Sequence, residues 1–361
     1  MTDFVTSILQ LEKRCIFCGK KPSEKNREHI IPRWLIALTG DPKREWYLGL
    51  KFNDISKPTR AFAADPFQFP ACESCNSRYS ALEARTQSHM TKLLNEESLT
   101  GVEWDDLLDW FDKVRIGLFI GNMMLNKDLP IPDPKFFIDQ RSGTKDRCLL
   151  IYPNRSDYFG LRMIGAGDPV FFHNSTSFML AVNGLLFLNA SSDFILAPRM
   201  GFPFPRKTRM QGQYIAAHDF TAFYRPKLPF IRFSFYQPLL GIYQTILNTN
   251  ILDEDEYKTL ACTDYVSSKL LPGSRVKTQP CAAANGALTF LGTASRARFV
   301  RPPAKNFKTF DEYCLRFFEY RHMELERAIE IAEPVSRPLI RTMMKINGYA
   351  IDQTNSGICS L

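Results

Sequence analysis

Two C-x-x-C pairs, Cys15-Ile16-Phe17-Cys18 and Cys72-Glu73-Ser74-Cys75, constrain this chain more than any other feature. Each pair lets one tight turn aim two sulfurs at a single point, and two pairs complete the tetrahedral sulfur set of a closed structural zinc site. Gly19, directly after the first pair, can take the positive φ that such turns often need. An iron–sulfur centre uses the same ligands, and spacing alone does not separate the two. A disulfide framework suits small secreted chains; this one has 361 residues, and Met1-Thr2-Asp3-Phe4 does not open a secretory signal, so a cytoplasmic protein is expected. A redox C-x-x-C would call for a βαβ setting that the pattern lacks. Cys148, Cys262, Cys281, Cys314 and Cys359 are isolated and read as small buried hydrophobes.

Between and after the pairs lie residues with hydrolytic chemistry. Arg27-Glu28-His29-Ile30-Ile31-Pro32-Arg33-Trp34 follows the first pair, and Asn76 follows Cys75 directly. A histidine, with an unperturbed pKa of about 6.5, is a neutral base at cytoplasmic pH. One carboxylate and one amide oxygen can hold a hard cation while leaving coordination positions for phosphate oxygens. Successive side chains of a regular strand face opposite ways, so Glu28 and His29 meet one ion only if the chain bends or bulges there, ahead of Pro32. On the helix expected after Cys72, Asn76, Tyr79, Ser80 and Glu83 share a face, which makes Ser80 and Glu83 candidates for further contacts to such an ion. His89, His173, His218 and His322 lack comparable neighbours and read as structural.

C-I-F-C-G, E-H-I-I-P and C-E-S-C-N in this order resemble the HNH endonucleases, the ββα-metal nucleases, in their zinc-stapled four-cysteine form. The resemblance covers residues 15–83, under a quarter of the chain. It implies an N-terminal ββα module in which a hairpin strand carrying the acid and the histidine faces a short helix opening at C-x-x-C-N. By position, it implies His29 as the general base that deprotonates water, and Glu28 and Asn76 as ligands of one catalytic magnesium or manganese ion. Cys15, Cys18, Cys72 and Cys75 match the structural zinc ligands. It also implies DNA as substrate and 5′-phosphate products, and the module occurs in restriction, anti-phage defence and mobile-element proteins. Many members brace the loop before the second pair with an asparagine; residues 61–70 contain none. The long stretch from His29 to Cys72 implies an insertion.

The length suits two or three domains at about 100–200 residues each, and the expected division is 1–97 and 98–361. The expected class is α+β: the metal-binding module, then a mixed α/β region with a β-rich middle. Thr100-Gly101-Val102-Glu103 has the form of a capping box opening a helix over 100–126. Strands are expected at 148–152, 159–164, 170–173, 177–188 and 194–197, then helices near 239–247 and, from the box Thr309-Phe310-Asp311-Glu312, over 309–333. No apolar run reaches the ~20 residues of a membrane span.

The net charge of +8 is modest but unevenly spread. Residues 199–232 carry seven basic side chains against Asp219 alone, and 269–308 carry eight against none. Interleaved aromatics suit a surface that tracks phosphates and stacks bases. Arg33, Arg78, Arg296, Arg298 and Arg301 are the candidate nucleic-acid contacts. A homodimer or a regulatory protein partner fits a single-site nuclease that must cut two strands. The competing reading is a non-catalytic, zinc-stapled nucleic-acid-binding or scaffold protein.

Overall fold

The computed structural model describes residues 13–24, 26–40, 45–51, 54–63, 67–125, 137–139, 146–154, 158–192, 194–202, 207–211, 214–219, 238–248, 275–277, 279–284, 287–300 and 309–359. Strand β1 (Asn26–His29) is followed by helix α1 (Arg33–Leu38) and an antiparallel pair, β2 (Glu45–Lys51) and β3 (Asp54–Ala63). The chain then returns as β4 (Gln68–Ala71), antiparallel to β1, and runs straight into helix α2 (Glu73–Leu94). The insertion expected between His29 and Cys72 is thus a short helix and a hairpin.

Helix α2 buries Cys75, Tyr79, Leu82, Thr86, His89, Met90 and Leu93, a stripe at three- and four-residue spacing. That stripe packs on α3 (Gly101–Leu125), which follows the short strand β5 (Leu99–Thr100). The capping box at its start is present: the Thr100 amide donates to Glu103 at 2.7 Å, and the Glu103 amide donates to the Thr100 hydroxyl at 3.3 Å. Every residue of α3 from Asp106 to Met124 is buried. Glycines let its neighbours close in; a Cβ at Gly121 would lie 2.7 Å from the Phe69 ring.

Beyond α3 lies a sheet built from β6 (Asp146–Pro153), β7 (Leu161–Ile164), β8 (Ser177–Val182) and β9 (Leu185–Ala190), extended by β12 (Leu240–Asn248), β13 (Arg275–Lys277), β14 (Cys281–Ala284) and β15 (Ala287–Phe290). The antiparallel order is β15-β14-β12-β6-β9-β8-β7, with β13 on β12. Two other pairs stand apart: β10 (Lys207–Gln211) with β11 (Tyr214–Asp219), and β16 (Arg296–Ala297) with β5. Alternate residues of β6 sort to opposite cores, Leu149 and Ile151 toward α3, Cys148, Leu150 and Tyr152 away from it. The second face is covered by α6 (Phe310–Ile331) through Tyr313, Phe317 and Tyr320, and α7 (Arg337–Cys359) packs on α6. The order is therefore hairpin and helices, sheet, helices. One hydrophobic core runs from Cys15 through α3 to Leu149 and Phe178, across the division expected between residues 97 and 98.

Several local expectations are corrected. Residues 170–173 form helix α4 (Pro169–His173) because Asp168 caps it, accepting from the Phe171 amide at 2.9 Å, and Pro169 opens it. The stretch 177–188 is two strands, since Asn183, at φ 49°, turns the chain before Gly184. At 194–197 a turn leads into α5 (Ala197–Met200). Residues 240–248 are a strand between β6 and β14, not a helix. Helix α6 ends as expected before Pro334, but α7 was not anticipated; Pro338 sits in its first turn, where a missing N–H costs nothing. No helix among the described residues is long and apolar enough to cross a membrane.

Candidate metal centre and hydrolytic site

The four paired cysteines converge. Cys15 opens a tight turn closed by its amide donating to the Lys20 carbonyl at 2.7 Å, with the Gly19 amide returning to the Cys15 carbonyl at 2.8 Å. Gly19 has φ +72°, and a Cβ there would stand 2.3 Å from Phe137 Cε2, so the position requires glycine twice over. Cys72 caps α2 and Cys75 lies in its first turn. The Cys72 amide donates to Cys15 Sγ at 3.2 Å, and the Ile16 amide donates to the Pro70 carbonyl at 2.9 Å, which fastens the turn to β4.

All four sulfurs lie within 4.8 Å of one another, and all four cysteines are free thiols. Cys18 and Cys72 Sγ are 3.9 Å apart, far beyond a disulfide and close to the ~3.8 Å edge of a tetrahedron with ~2.3 Å zinc–sulfur bonds. Burial and the neighbouring Cys15 push the Cys72 thiol up to about 12, and the same causes raise Cys75 further. Two crowded thiols, Cys72 and Cys75, that resist ionising on their own are what a cation relieves. The cluster fits a metal ion such as zinc, with these four residues as its ligands. It is the one group of three or more His, Cys, Asp or Glu side chains so placed among the described residues.

A second layer locks this centre to α2. Phe17 stacks on Tyr79 with centroids 4.3 Å apart and planes 11° from parallel. The Tyr79 hydroxyl donates to Asp139 at 2.9 Å, the Arg78 guanidinium pairs with the same carboxylate, and the Asp139 amide donates to the Phe17 carbonyl at 2.8 Å. Burial and the Asp139 charge hold the Tyr79 hydroxyl well above its ordinary range.

The β1–β4 register runs unbroken from Asn26 opposite Ala71 to His29 opposite Gln68. The bend expected at Glu28-His29 falls later, at Ile30-Ile31. Asn26 and Glu28 both meet the helices: Asn76 Nδ2 donates to Asn26 Oδ1 at 3.2 Å, and the Glu28 carboxylate accepts from Lys113 of α3. The same Lys113 ammonium donates to Glu83. His29 is half-buried at the end of the paired segment. Glu28, His29 and Glu83 do not form a second ligand cluster. Burial raises the Glu28 carboxyl above its usual value against the opposing pull of Lys113; burial alone would lower Lys113, but Glu28 and Glu83 hold it above.

Ser80 is exposed, on the helix face that also carries Glu83. Of the candidate nucleic-acid contacts, Arg33 is exposed at the start of α1, and Arg296 and Arg298 are exposed on the segment paired to β5. Arg78 is engaged by Asp139, and Arg301 lies outside the described residues, as does much of both basic windows. Sequence reasoning missed Lys113. Its signal was a cluster of charges, Asp109, Asp112, Lys113 and Arg115, inside an otherwise apolar helix. No family model, curated protein or solved structure matches the chain.

Proposed function

We propose that this chain is an endonuclease of the HNH type that hydrolyses DNA phosphodiester bonds, with His29 as the base that takes a proton from the attacking water. One observation carries the reading: the strand bearing Glu28-His29 pairs with the strand that runs directly into the Cys72–Cys75–Asn76 helix start, and four thiols gather at that joint. The staple would fix the β1–β4 pair, with His29 at its far end opposite Gln68, to the start of the helix. The exposed Arg33 and, across β5, Arg296 and Arg298 would add sequence-independent attraction.

The magnesium or manganese ion implied at Glu28 and Asn76 does not fit those residues as they stand. Lys113 holds the Glu28 carboxylate with a cation of its own, at the place such an ion would take. The proposal therefore assigns this chain's part of the chemistry to His29 and its frame, and leaves metal dependence to be measured. The deciding assay is nicking of supercoiled plasmid by the zinc-loaded chain in magnesium, manganese or chelator, beside His29→Ala. Wild type is expected to nick, with the variant slower by about 10²–10⁴-fold. Inactivity of wild type on single-stranded, double-stranded and modified DNA, and on RNA, overturns the reading.

The second reading, a non-catalytic zinc-stapled nucleic-acid-binding or scaffold module, is favoured by the same Lys113 contact, which takes up the acidic residue of the Glu28-His29 pair. It expects DNA retention without nicking, unchanged by His29→Ala.

A further inference from the structure

Lys113 reaches out of the middle of α3 with a side chain that is 0% exposed, and its two partners come from two other elements. Glu28 lies on β1 and Glu83 on α2, 85 and 30 residues away in sequence. The ammonium nitrogen lies 6.0 Å from the centroid of the Phe17 ring, the ring that stacks on Tyr79 beside the cysteines. Two carboxylate oxygens thus converge on one positive point, closed in by an aromatic ring. Two carboxyl groups and one ammonium share this pocket. A divalent ion bridging Glu28 and Glu83 would need the same position.

We propose that Lys113 is the resident cation of this carboxylate pair, so that Glu28 is a positioning residue that ties β1 to α2 and α3 and is not an ion ligand. The alternative places a divalent ion between the carboxylates, and one site cannot hold both cations. Burial strips water from either cation, but the ammonium is delivered by folding of α3 itself, whereas magnesium would have to be bound from solution and gives up its waters reluctantly. By anchoring Glu28, Lys113 also fixes the strand end at which His29 stands. That last consequence rests on the nuclease reading; the identity of the cation does not.

The test uses the full-length, zinc-loaded chain titrated with Mn²⁺, with free Mn²⁺ followed by electron paramagnetic resonance. Wild type and Glu28→Gln are expected to bind Mn²⁺ with the same stoichiometry and affinity. Lys113→Met leaves two facing carboxylates without a cation and is expected to gain a Mn²⁺ site that Lys113→Met/Glu28→Gln lacks, while Lys113→Arg behaves as wild type. A Mn²⁺ site present in wild type and lost in Glu28→Gln overturns the proposal, as does a folded Lys113→Met chain that gains none. If Lys113→Met does not fold, the comparison of wild type with Glu28→Gln decides alone. Because the readout is ion binding, a chain that never nicks DNA overturns the nuclease reading and leaves this one standing.

Discussion

Arg321 grips Asp168 with both terminal nitrogens, at 2.6 and 2.7 Å, while the same carboxylate accepts from the Phe171 amide at 2.9 Å. One aspartate therefore caps α4 and anchors α6, joining the C-terminal helices to the loop after β7. Burial opposes its charge, but Arg321 wins and holds the carboxyl below its ordinary value. The guanidinium side chain is only 2% exposed, so Asp168→Ala would strand a buried cation as well as remove a cap. Loss of about 3–5 kcal/mol is expected in urea unfolding. Since the folded pKa is depressed, the wild-type contribution is present above the unfolded value of 3.8 and fades as pH falls below it. An Asp168→Ala curve parallel to wild type through that acid range would show that the pair contributes no pH-dependent stability.

Glu324 gives the opposite slope at milder pH. Burial pushes its carboxyl up to about 7, against hydrogen bonds donated by the hydroxyls of Tyr320, Thr176 and Ser177 and the nearby charge of Arg321. The folded state thus keeps a proton that the unfolded chain releases near 4.5. Stability should fall as pH rises from about 4.5 to about 7, by about 3 kcal/mol for this group. His173, lowered by burial, slopes the other way in part of that window. The difference between wild type and Glu324→Gln isolates the carboxyl: the variant should lack the decline, and identical pH profiles would refute its assignment to Glu324.

What the sequence made legible was local. Both Thr-x-x-Glu boxes bond as their spacing implies, the four cysteines meet, and the helix after Cys75 runs to Leu94. The misread segments are those in which two periods fit the same residues or a turn hides inside an apolar run. Leu240, Ile242, Tyr243, Ile246 and Leu247 suit a helix face as well as a strand, and only the pairing with β6 and β14 decides. Asn183-Gly184 is a hairpin turn embedded in apolar sequence, and Asp168-Pro169 converts a β-branched and aromatic stretch into a helix. At the candidate site the motif named Glu28, His29 and Asn76 but not what stands among them. Lys113 is remote in sequence, and no local pattern announces which charges of a buried helix will meet which partners. The same holds for Arg147 of β6, which reaches Asp105 and Asp109 of α3 and Gln244 of β12.

Metal content should follow the cysteine cluster. The full chain is expected to carry about one zinc ion in atomic emission analysis, and Cys75→Ser to lose it together with much of its thermal stability. Because the ligands must be thiolates and the Cys72 thiol stands at about 12 without an ion, zinc uptake should release protons and weaken as pH falls. Proton release measured in two buffers of different ionisation enthalpy checks the sign. A chromophore in the visible, with iron in place of zinc, would reassign the ion while keeping the ligands.

Electrostatic attraction to DNA should depend on the arginines of the segment paired to β5. Arg296 and Arg298 are exposed, and the contact of Arg296 with the Ser98 carbonyl, at 3.5 Å, is long. Their reversal therefore removes no buried partner, and Arg296→Glu/Arg298→Glu should change folding stability by no more than about 0.5 kcal/mol. If both side chains meet phosphates, each accounts for about one unit of the slope of log affinity against log salt. Filter retention of duplex DNA should then weaken at every sequence tested, and the slope should shrink by about two. Arg33, exposed near His29 at the start of α1, provides the comparison. If Arg33→Glu lowers the slope while the double reversal leaves it untouched, DNA binds at the hairpin side alone, and the segment paired to β5 is a solvated face.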